Sequence, residues 1–398
     1  MTSASLTVRQ LWIAALVPLV LLAGLIATIL KTSPGDSLRP AGAPPIEKLS
    51  VHSTRLEPGG IVVSVLNDGP DAVTIAQVAV DDAYWTFTSD KGNVLKHLEQ
   101  TTLRIPYPWV EGEAHLVKVL TSTGTAFEHE IPVAVLSPHR DVRHLLTFTL
   151  IGLYVGVLPV ALGLLWFPLV SRLGPTGLDI VLAVTIGLLL FLLIDTTSEG
   201  LEIASGLPSS YQGVALFIAA AAGAWLTLDL IGTWLRTRRR ATQHAGSAGA
   251  VLALLVAVGI GLHNCAEGLA IGSAYALGEA TLGTLLIVGF TLHNTTEGLA
   301  IIAPLAKERP PVRTLATLGL IGGLPTIAGA WIGGLVYSPV VAVFSLGLGA
   351  GAIAQVVHQI SKQMAGARPI AERFASAPIV AGLVAGFAVM YATGMLAG

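Results

Sequence analysis

The stretch LHNCAEGLAI, residues 262–271, recurs thirty residues later as LHNTTEGLAI, residues 292–301. Both copies have apolar surroundings, with VLALLVAVGIG before the first and TLLIVGF shortly before the second. A helix needs about 20 predominantly apolar residues to cross the hydrocarbon core of a membrane. The repeat therefore predicts two membrane-spanning helices, each with a histidine, an asparagine and a glutamate near its midpoint.

The composition of the whole chain is typical of a membrane protein. Of its 398 residues, 53% are hydrophobic and 12% are charged, whereas soluble domains carry about 25% charged residues. The single cysteine, Cys265, excludes an intrachain disulfide. We therefore predict an all-α, polytopic membrane bundle for most of the chain. Nine apolar runs are long enough to span a bilayer: 11–30, 145–168, 179–197, 210–235, 249–274, 282–305, 314–337, 340–361 and 375–397.

Lysine and arginine occur in every second connection between these runs, while the connections SGLPSSYQG, SAYALGEATLG and VYSPV contain neither. Because basic residues in short loops favour the cytoplasmic side, we predict that the basic connections face the cytoplasm. Residues 31–144 and the C-terminus then lie outside, and the chain is a multi-pass protein of the plasma (cytoplasmic) membrane. The basic residues are Arg172, Arg236, Arg238, Arg239, Arg240, Lys307, Arg309, Arg313, Lys362, Arg368 and Arg373.

The N-terminal part of the chain has a different pattern. We predict a membrane anchor at residues 1–30, for which a cleaved signal peptide is the alternative. A linker rich in proline, glycine and serine follows at 31–46. From 47–138, short β-type runs separated by NDGPD, DKGN and STGT predict an extracytoplasmic, all-β sandwich of the immunoglobulin type, with Trp85 and Tyr84 in its core. The pattern does not indicate which partner this domain binds.

In each copy of the repeat, the histidine and the glutamate are four residues apart and lie about 40° apart on one helix face. The asparagine follows the histidine directly, on the flank of that face. Because a short loop joins the two helices, they run antiparallel, and their polar faces can meet at mid-depth. Imidazole, carboxylate and amide groups suit a divalent cation. The candidate metal ligands are His263, Asn264, Glu267, His293, Asn294 and Glu297.

The alternative interpretation is that these polar groups only hold helices together through hydrogen bonds. That role explains an asparagine well, but it explains two central glutamates poorly. An ionised carboxylate in hydrocarbon costs several kcal/mol unless it is paired or solvated. The two apolar runs contain no lysine or arginine at that depth. A bound dication would supply the missing charge.

Polar residues in two other apolar runs are candidates to line a pathway for the cation on either side of the repeat. Asp195 and Glu199, in LIDTTSEGLE, lie toward the outer end of the third run, where negative charge would attract cations. A solvated helix end is the alternative for Glu202 in the same stretch, but not for Asp195. Gln355, His358 and Gln359 are predicted to share a face near the cytoplasmic end of the eighth run. They could line a pathway for the ion or form hydrogen bonds between helices.

The paired HNCAEGLAIG and HNTTEGLAI resemble the fourth and fifth transmembrane helices of the ZIP (Zrt/Irt-like) family of divalent metal transporters, which carry H-N-x-x-[DE]-G type signatures. The resemblance covers residues 145–398 and implies an eight-helix transporter domain with both ends outside. It implies that the six candidate ligands form a site for one or two metal ions midway along the path, and that a homodimer is plausible. The anchor and the β-sandwich lie outside it.

Three features depart from the family pattern. Ala266 and Thr296 stand just before the glutamates, where family members often have proline. The run LGLIGGLPTIAGAWIGG, which corresponds to the sixth family helix, lacks the acidic residue that some members have there. The connection 236–249 is short and contains only His244, so a histidine-rich loop is absent. A second metal position is therefore expected to be incomplete.

These patterns together predict a transporter that moves a divalent cation, zinc first and iron or manganese next, toward the cytoplasm. The metal is the substrate, and we expect neither a prosthetic group, nor enzyme activity, nor nucleic-acid binding. A membrane-embedded metalloenzyme is one alternative, although the chain has no H-E-x-x-H motif. A metal sensor or receptor is the other, although no cytoplasmic domain is predicted to receive its signal.

Overall fold

The computed structural model describes residues 16–17, 20–25, 28, 44–131, 134, 136–137, 142–241, 248–276, 280–335, 338–366 and 369–395. Residues Met1–Ile46 form one unit and Glu47–Gly398 form another. Most of the predicted anchor and linker lies outside the described residues, and the described residues among 16–28 are helical.

A small antiparallel β region begins the second unit. Its strands are β1 Leu49–Glu57, β2 Gly60–Asn67, β3 Val73–Val80, β4 Ala83–Trp85, β5 Thr88–Ser89, β6 Val94–Leu95, β7 Gln100–Ile105, β8 His115–Thr121 and β9 Ala126–Ile131. One sheet has the strand order β1-β2-β7-β5, and the other has the order β4-β3-β8-β9, with β6 paired to β3. Successive side chains of a strand point to opposite faces, and inward-facing residues of both sheets, such as Ile61, Leu103 and Val117, share one apolar core.

One prediction for this core is wrong. Trp85 packs against the core, and its ring meets that of Tyr107 edge-on at 5.1 Å between centroids. Tyr84, however, is 67% exposed. Because neighbouring residues of a strand face opposite ways, Trp85 and Tyr84 cannot both point into the same core.

The rest of the unit is helical. The helices are α1 Val142–Gly152, α2 Leu158–Leu164, α3 Phe167–Val170, α4 Pro175–Gly206, α5 Gly213–Ala241, α6 Ala248–Ala276, α7 Ala280–Ile302, α8 Val312–Gly323, α9 Pro325–Leu335, α10 Pro339–Ala365, α11 Ile370–Phe374 and α12 Ala377–Gly394. A π-helical segment, Leu153–Val157, joins α1 to α2. Short 3-10 helices lie at Ser209–Tyr211 and Ala303–Leu305.

Seven helical segments of the described chain are long and apolar enough to cross a membrane. They are Val142–Val170, Pro175–Gly206, Ser209–Leu235, Gly249–Ala276, Gly283–Leu305, Val312–Leu335 and Pro339–Ala365, and a shorter apolar helix follows at Ala377–Ala392. The chain is therefore a mostly helical, multi-pass membrane protein with a small β region near its N-terminus. The two copies of the repeat lie on α6 and α7.

The glycine that follows each glutamate of the repeat allows two helices to touch. A β-carbon added at Gly268 of α6 would lie 2.1 Å from the carbonyl oxygen of Thr326 on α9. One added at Gly298 of α7 would lie 2.3 Å from the carbonyl oxygen of Val160 on α2. Backbones approach this closely only where the side chain is a hydrogen atom. The two glycines thus place α6 directly against α9 and α7 directly against α2. These four helices, together with α1, α3 and α8, which pack on them, form the first group.

The remaining long helices pack on one another in a second group. A β-carbon at Gly187 of α4 would lie 2.2 Å from the carbonyl oxygen of Leu383 on α12. One at Gly351 of α10 would lie 2.0 Å from the carbonyl oxygen of Ala221 on α5. The second group therefore contains α4, α5, α10 and α12, and it contributes none of the six candidate ligands.

We expect Gly298→Ala to destabilise the helical bundle, because the added methyl group has no space beside α2. Overpacking of this kind costs about 1–3 kcal/mol. Gly223→Ala is the matched control, since no described atom outside its own helical turn lies within 4 Å of a β-carbon at Gly223 on α5. Thermal unfolding in detergent should show a lower melting temperature for Gly298→Ala alone. Equal melting temperatures for both variants would contradict the close contact between α7 and α2.

Candidate metal centre

The site is built around Glu267, one helical turn beyond His263 on α6. One carboxylate oxygen, Oε1, lies 3.1 Å from Nε2 of His263 and also contacts Nε2 of His293 on α7. Nitrogen and oxygen atoms of these three side chains lie within 4.8 Å of one another. None of the six predicted ligands is more than 8% exposed. The faces of α6 and α7 that carry the repeat therefore meet in the interior of the bundle.

Three atoms at such distances are close to the geometry of a metal site. Zinc binds imidazole nitrogen and carboxylate oxygen at about 2.0–2.2 Å, which sets neighbouring ligand atoms of a tetrahedron roughly 3.3–3.6 Å apart. Small side-chain rotations would bring the three atoms to that spacing. Of the residues that the structure describes, this is the one group of three histidine, cysteine or acidic residues placed in this way.

Asn294 links the two helices of the repeat to the π-helical segment that follows α1. Its Nδ2 donates hydrogen bonds to Oε2 of Glu267, at 2.9 Å, and to the carbonyl oxygen of Val155, at 3.0 Å. Val155 belongs to the π-helical segment Leu153–Val157, and π-helical turns change which carbonyl groups are bonded within a helix. Asn294 thus fixes the orientation of the Glu267 carboxylate.

Asn264 has a different partner from its counterpart in the second copy. Its Nδ2 donates to the carbonyl oxygen of Gly322, at 3.1 Å. Gly322 lies near the end of α8, just before the break at which α9 begins with Pro325. The two asparagines therefore tie the repeat to two other helices of its group.

Several buried oxygen atoms in this region have no hydrogen-bond donor among the described residues. They are Oδ1 of Asn264, Oδ1 of Asn294, and both Oε1 and Oε2 of Glu297. Glu297 is close enough to interact electrostatically with Glu267 and with both histidines, and the side-chain amide of Asn264 lies beside it without forming a hydrogen bond of normal geometry. Buried polar groups are normally satisfied, and an unpaired buried carboxylate is especially costly. All four atoms are acceptors, so what they lack is a positively polarised or charged partner.

A cavity of about 390 Å³ leads to the cluster, and its lining includes His263, Glu267 and His293. Asp195 and Glu199 of α4 line the same cavity and are exposed in it. The structure therefore brings the two predicted outer acidic residues to a space that also reaches the repeat. When ionised, these two carboxylates raise the local concentration of cations.

Thr196 contacts the cluster, and the sequence pattern does not predict this contact. Its hydroxyl group lies 3.3 Å from Nδ1 of His263, and the side chain is buried. Thr196 is a neighbour of Asp195 in LIDTTSEGLE, but threonine is common in apolar helices and carries no signal by itself. The contact joins α4, of the second helix group, to a residue of the cluster.

The three predicted inner residues of α10 do not share one environment. Gln355 is fully buried, and both polar atoms of its amide have no hydrogen-bond partner in the described chain. Gln359 is buried and its Nε2 donates to Oδ1 of Asp229, at 3.3 Å. His358 is exposed and lies beside the ring of Trp225, with 5.5 Å between centroids. Gln355 and Gln359 face the interior, whereas His358 lies on the flank.

No protein-family model and no curated protein sequence matches this chain at a significant level.

Proposed function

We propose that this protein transports a divalent metal cation across the membrane, and that the ion binds among His263, Glu267 and His293. The observation that carries the proposal is the set of four buried oxygens around this cluster that accept no hydrogen bond of normal geometry from the residues that the structure describes. A dication beside them would compensate the cost of burying Glu267 and Glu297. Zinc is the first candidate because imidazole and carboxylate are its usual ligands; iron and manganese follow.

The remaining residues of the repeat would complete the shell of the ion. Oδ1 of Asn264, Oδ1 of Asn294 and the carboxylate of Glu297 can replace water oxygens as the ion leaves its hydration shell. Hard and borderline divalent cations accept such oxygen ligands. One or two ions could be held, which the metal content of the purified protein would decide.

The ion would reach the site from the cavity and leave it on the other side of the bundle. Asp195 and Glu199 lie on the approach, where their charge attracts cations. Gln355 and Gln359 are the interior polar residues of α10, and we propose that they lie on the inner part of the path. His358 would line the path only if α10 rotated about its own axis.

The finer architecture belongs to the same proposal. Residues 145–398 would form the eight-helix transporter domain of a ZIP-like protein, and 47–138 an immunoglobulin-like domain outside the cytoplasm. Residues 1–30 would anchor the chain in the plasma membrane. With the basic connections in the cytoplasm, transport would run inward, and two chains could associate as a homodimer.

We expect the double variant His263→Ala, His293→Ala to abolish metal uptake, because it removes both imidazole ligands. Liposomes that contain the purified protein and a metal-sensitive dye would measure the flux. Cys265→Ser is the matched control, since Cys265 lies on the same helix and is not among the cavity-lining residues. Unchanged uptake by the double variant would contradict the proposal.

A membrane-embedded metalloenzyme is the second candidate, and one observation favours it. Three ligands beside an open cavity are also the arrangement of catalytic zinc sites, in which water holds the fourth position. The liposome experiment separates the two functions, since an enzyme would bind zinc without carrying it to the dye.

A further inference from the structure

The β region forms several hydrogen bonds with the turn between α4 and α5. The Asp68 carboxylate accepts hydrogen bonds from the Ser209 amide, at 2.8 Å, from the Ser209 hydroxyl, at 2.9 Å, and from the Ser210 amide, at 3.1 Å. These two serines begin the 3-10 helix Ser209–Tyr211. Only 1% of the Asp68 side chain is exposed. A carboxylate of the β region therefore caps a turn of the helical region.

Two further contacts surround this carboxylate. The ammonium group of Lys48 lies 2.7 Å from Oδ2 of Asp68 and donates to the Ser209 hydroxyl at 3.1 Å. The ring of His52 stacks on that of Tyr211, with 6.3 Å between centroids. Three residues of the β region thus meet three consecutive residues of the turn.

Asp68 is held in place from within the β region. Its amide donates to the carbonyl oxygen of Lys48, at 2.8 Å. The neighbouring Asn67 is fully buried, and its Nδ2 donates to the carbonyl oxygens of Asp71 and Leu95. The carboxylate is consequently presented by a rigid loop, and ordering it costs little conformational entropy.

The charge state of Asp68 agrees with this role. Burial works to raise the pKa of Asp68, but the hydrogen bonds from Lys48, Ser210 and Ser209 outweigh it and hold the pKa below its ordinary value. The carboxylate is therefore ionised at neutral and mildly acid pH, where hydrogen bonds to a charged acceptor are stronger than neutral ones.

The turn that Asp68 contacts follows the end of α4 at Gly206, and only Leu207 and Pro208 lie between them. Thr196, which contacts His263, lies ten residues before the end of α4 at Gly206, or about 15 Å along the helix. A continuous helix over that distance transmits a displacement of its end to Thr196. The α4 helix packs on α12 in the second helix group, so the turn is the point at which the β region acts on that group.

We propose that the β region is a brace: Asp68 fixes the turn that directly follows α4, and this contact keeps Thr196 against His263. The first half of the proposal is that Asp68 fixes the turn, and it concerns only the fold. The second half rests on the proposed binding of a metal at His263. The two halves need separate measurements.

Hydrogen–deuterium exchange of the full, metal-free chain in detergent tests the first half. We expect Asp68→Asn to speed exchange of the Ser209 and Ser210 amides by about tenfold, because each loses a charged acceptor. Asp90→Asn is the control, since Asp90 is an exposed acidic residue of the same region, 3.7 Å from Arg104. Unchanged exchange at the two serines in Asp68→Asn would overturn the brace.

A second variant distinguishes loss of the Asp68 contacts from misfolding of the β region. Lys48→Met removes the ion pair from a side chain that is 50% exposed, so the fold should tolerate it, and a smaller increase, about threefold, is expected at the same two amides. Exchange in β8 should stay slow in both variants. Lys48→Met without any increase at these amides would also count against the brace.

Zinc uptake in liposomes tests the second half. We expect Asp68→Asn and Thr196→Val each to raise the apparent KM for zinc severalfold, and the double variant to raise it no further, because both break the same chain of contacts. Additive effects, or an unchanged KM in Asp68→Asn, would overturn the link to His263. If the wild-type protein carries no zinc, the transport proposal fails, while the exchange result still decides the brace.

Discussion

Replacement of Glu267 by glutamine is expected to abolish metal binding and to reduce uptake at least 100-fold. Glu267 contacts both histidines through Oε1 and accepts a hydrogen bond from Asn294 through Oε2. Glutamine has nearly the same shape, but it lacks the charge and one acceptor oxygen. A 100-fold loss corresponds to roughly 2.7 kcal/mol, which is modest for the loss of a charged ligand from a dication in a low-dielectric interior.

Two measurements check this prediction. The metal content of the purified variant should fall to background, and dye-loaded liposomes should show no flux above that of protein-free liposomes. Glu372→Gln is the control, because Glu372 is an exposed glutamate on the short helix α11. Wild-type metal content in Glu267→Gln would remove Glu267 from the proposed ligands.

The variant Glu297→Gln should have opposite effects on the metal-free protein and on metal binding. Neither carboxylate oxygen of Glu297 accepts a hydrogen bond of normal geometry from the described residues, so removal of the charge relieves an incompletely compensated cost of about 1–3 kcal/mol. We expect the metal-free variant to melt several degrees higher than the wild type. Zinc should then raise the melting temperature of the wild type more than that of the variant, because a ligand that binds the folded state stabilises it.

Thermal unfolding with a chelator and then with zinc measures both effects on one sample. Glu202→Gln is a suitable comparison, since Glu202 is exposed on α4 and its replacement relieves no buried charge. A metal-free Glu297→Gln protein that melts below the wild type would mean that the carboxylate already has a stabilising partner. That outcome would weaken the argument from unpartnered acceptors.

Local features of the chain were sufficient to predict much of the helical region. Hydropathy depends on composition within a window, and the helical period depends only on spacing along the chain. The runs at 249–274 and 282–305 therefore coincide closely with the described spans Gly249–Ala276 and Gly283–Leu305. The same spacing placed His263 and Glu267 on one face, and the short connection made α6 and α7 antiparallel neighbours.

The β region illustrates the limit of such local patterns. Alternation predicted strands over 47–138, and the described strands lie between Leu49 and Ile131. Alternation also determines that Trp85 and Tyr84 face opposite ways, but which of them faces the core depends on the partner strand. Trp85 packs inward, and Tyr84 is exposed.

The partners of each polar side chain were decided only by the tertiary structure. The sequence determined that two histidines, two asparagines and two glutamates lie at one depth of two antiparallel helices, since spacing and loop length are local properties. It did not determine that Asn264 donates a hydrogen bond to Gly322, that Thr196 contacts His263, or that Asp68 accepts a hydrogen bond from Ser209. Those contacts join residues 58, 67 and 141 positions apart, and they depend on how each helix is rotated and packed, which no local period specifies.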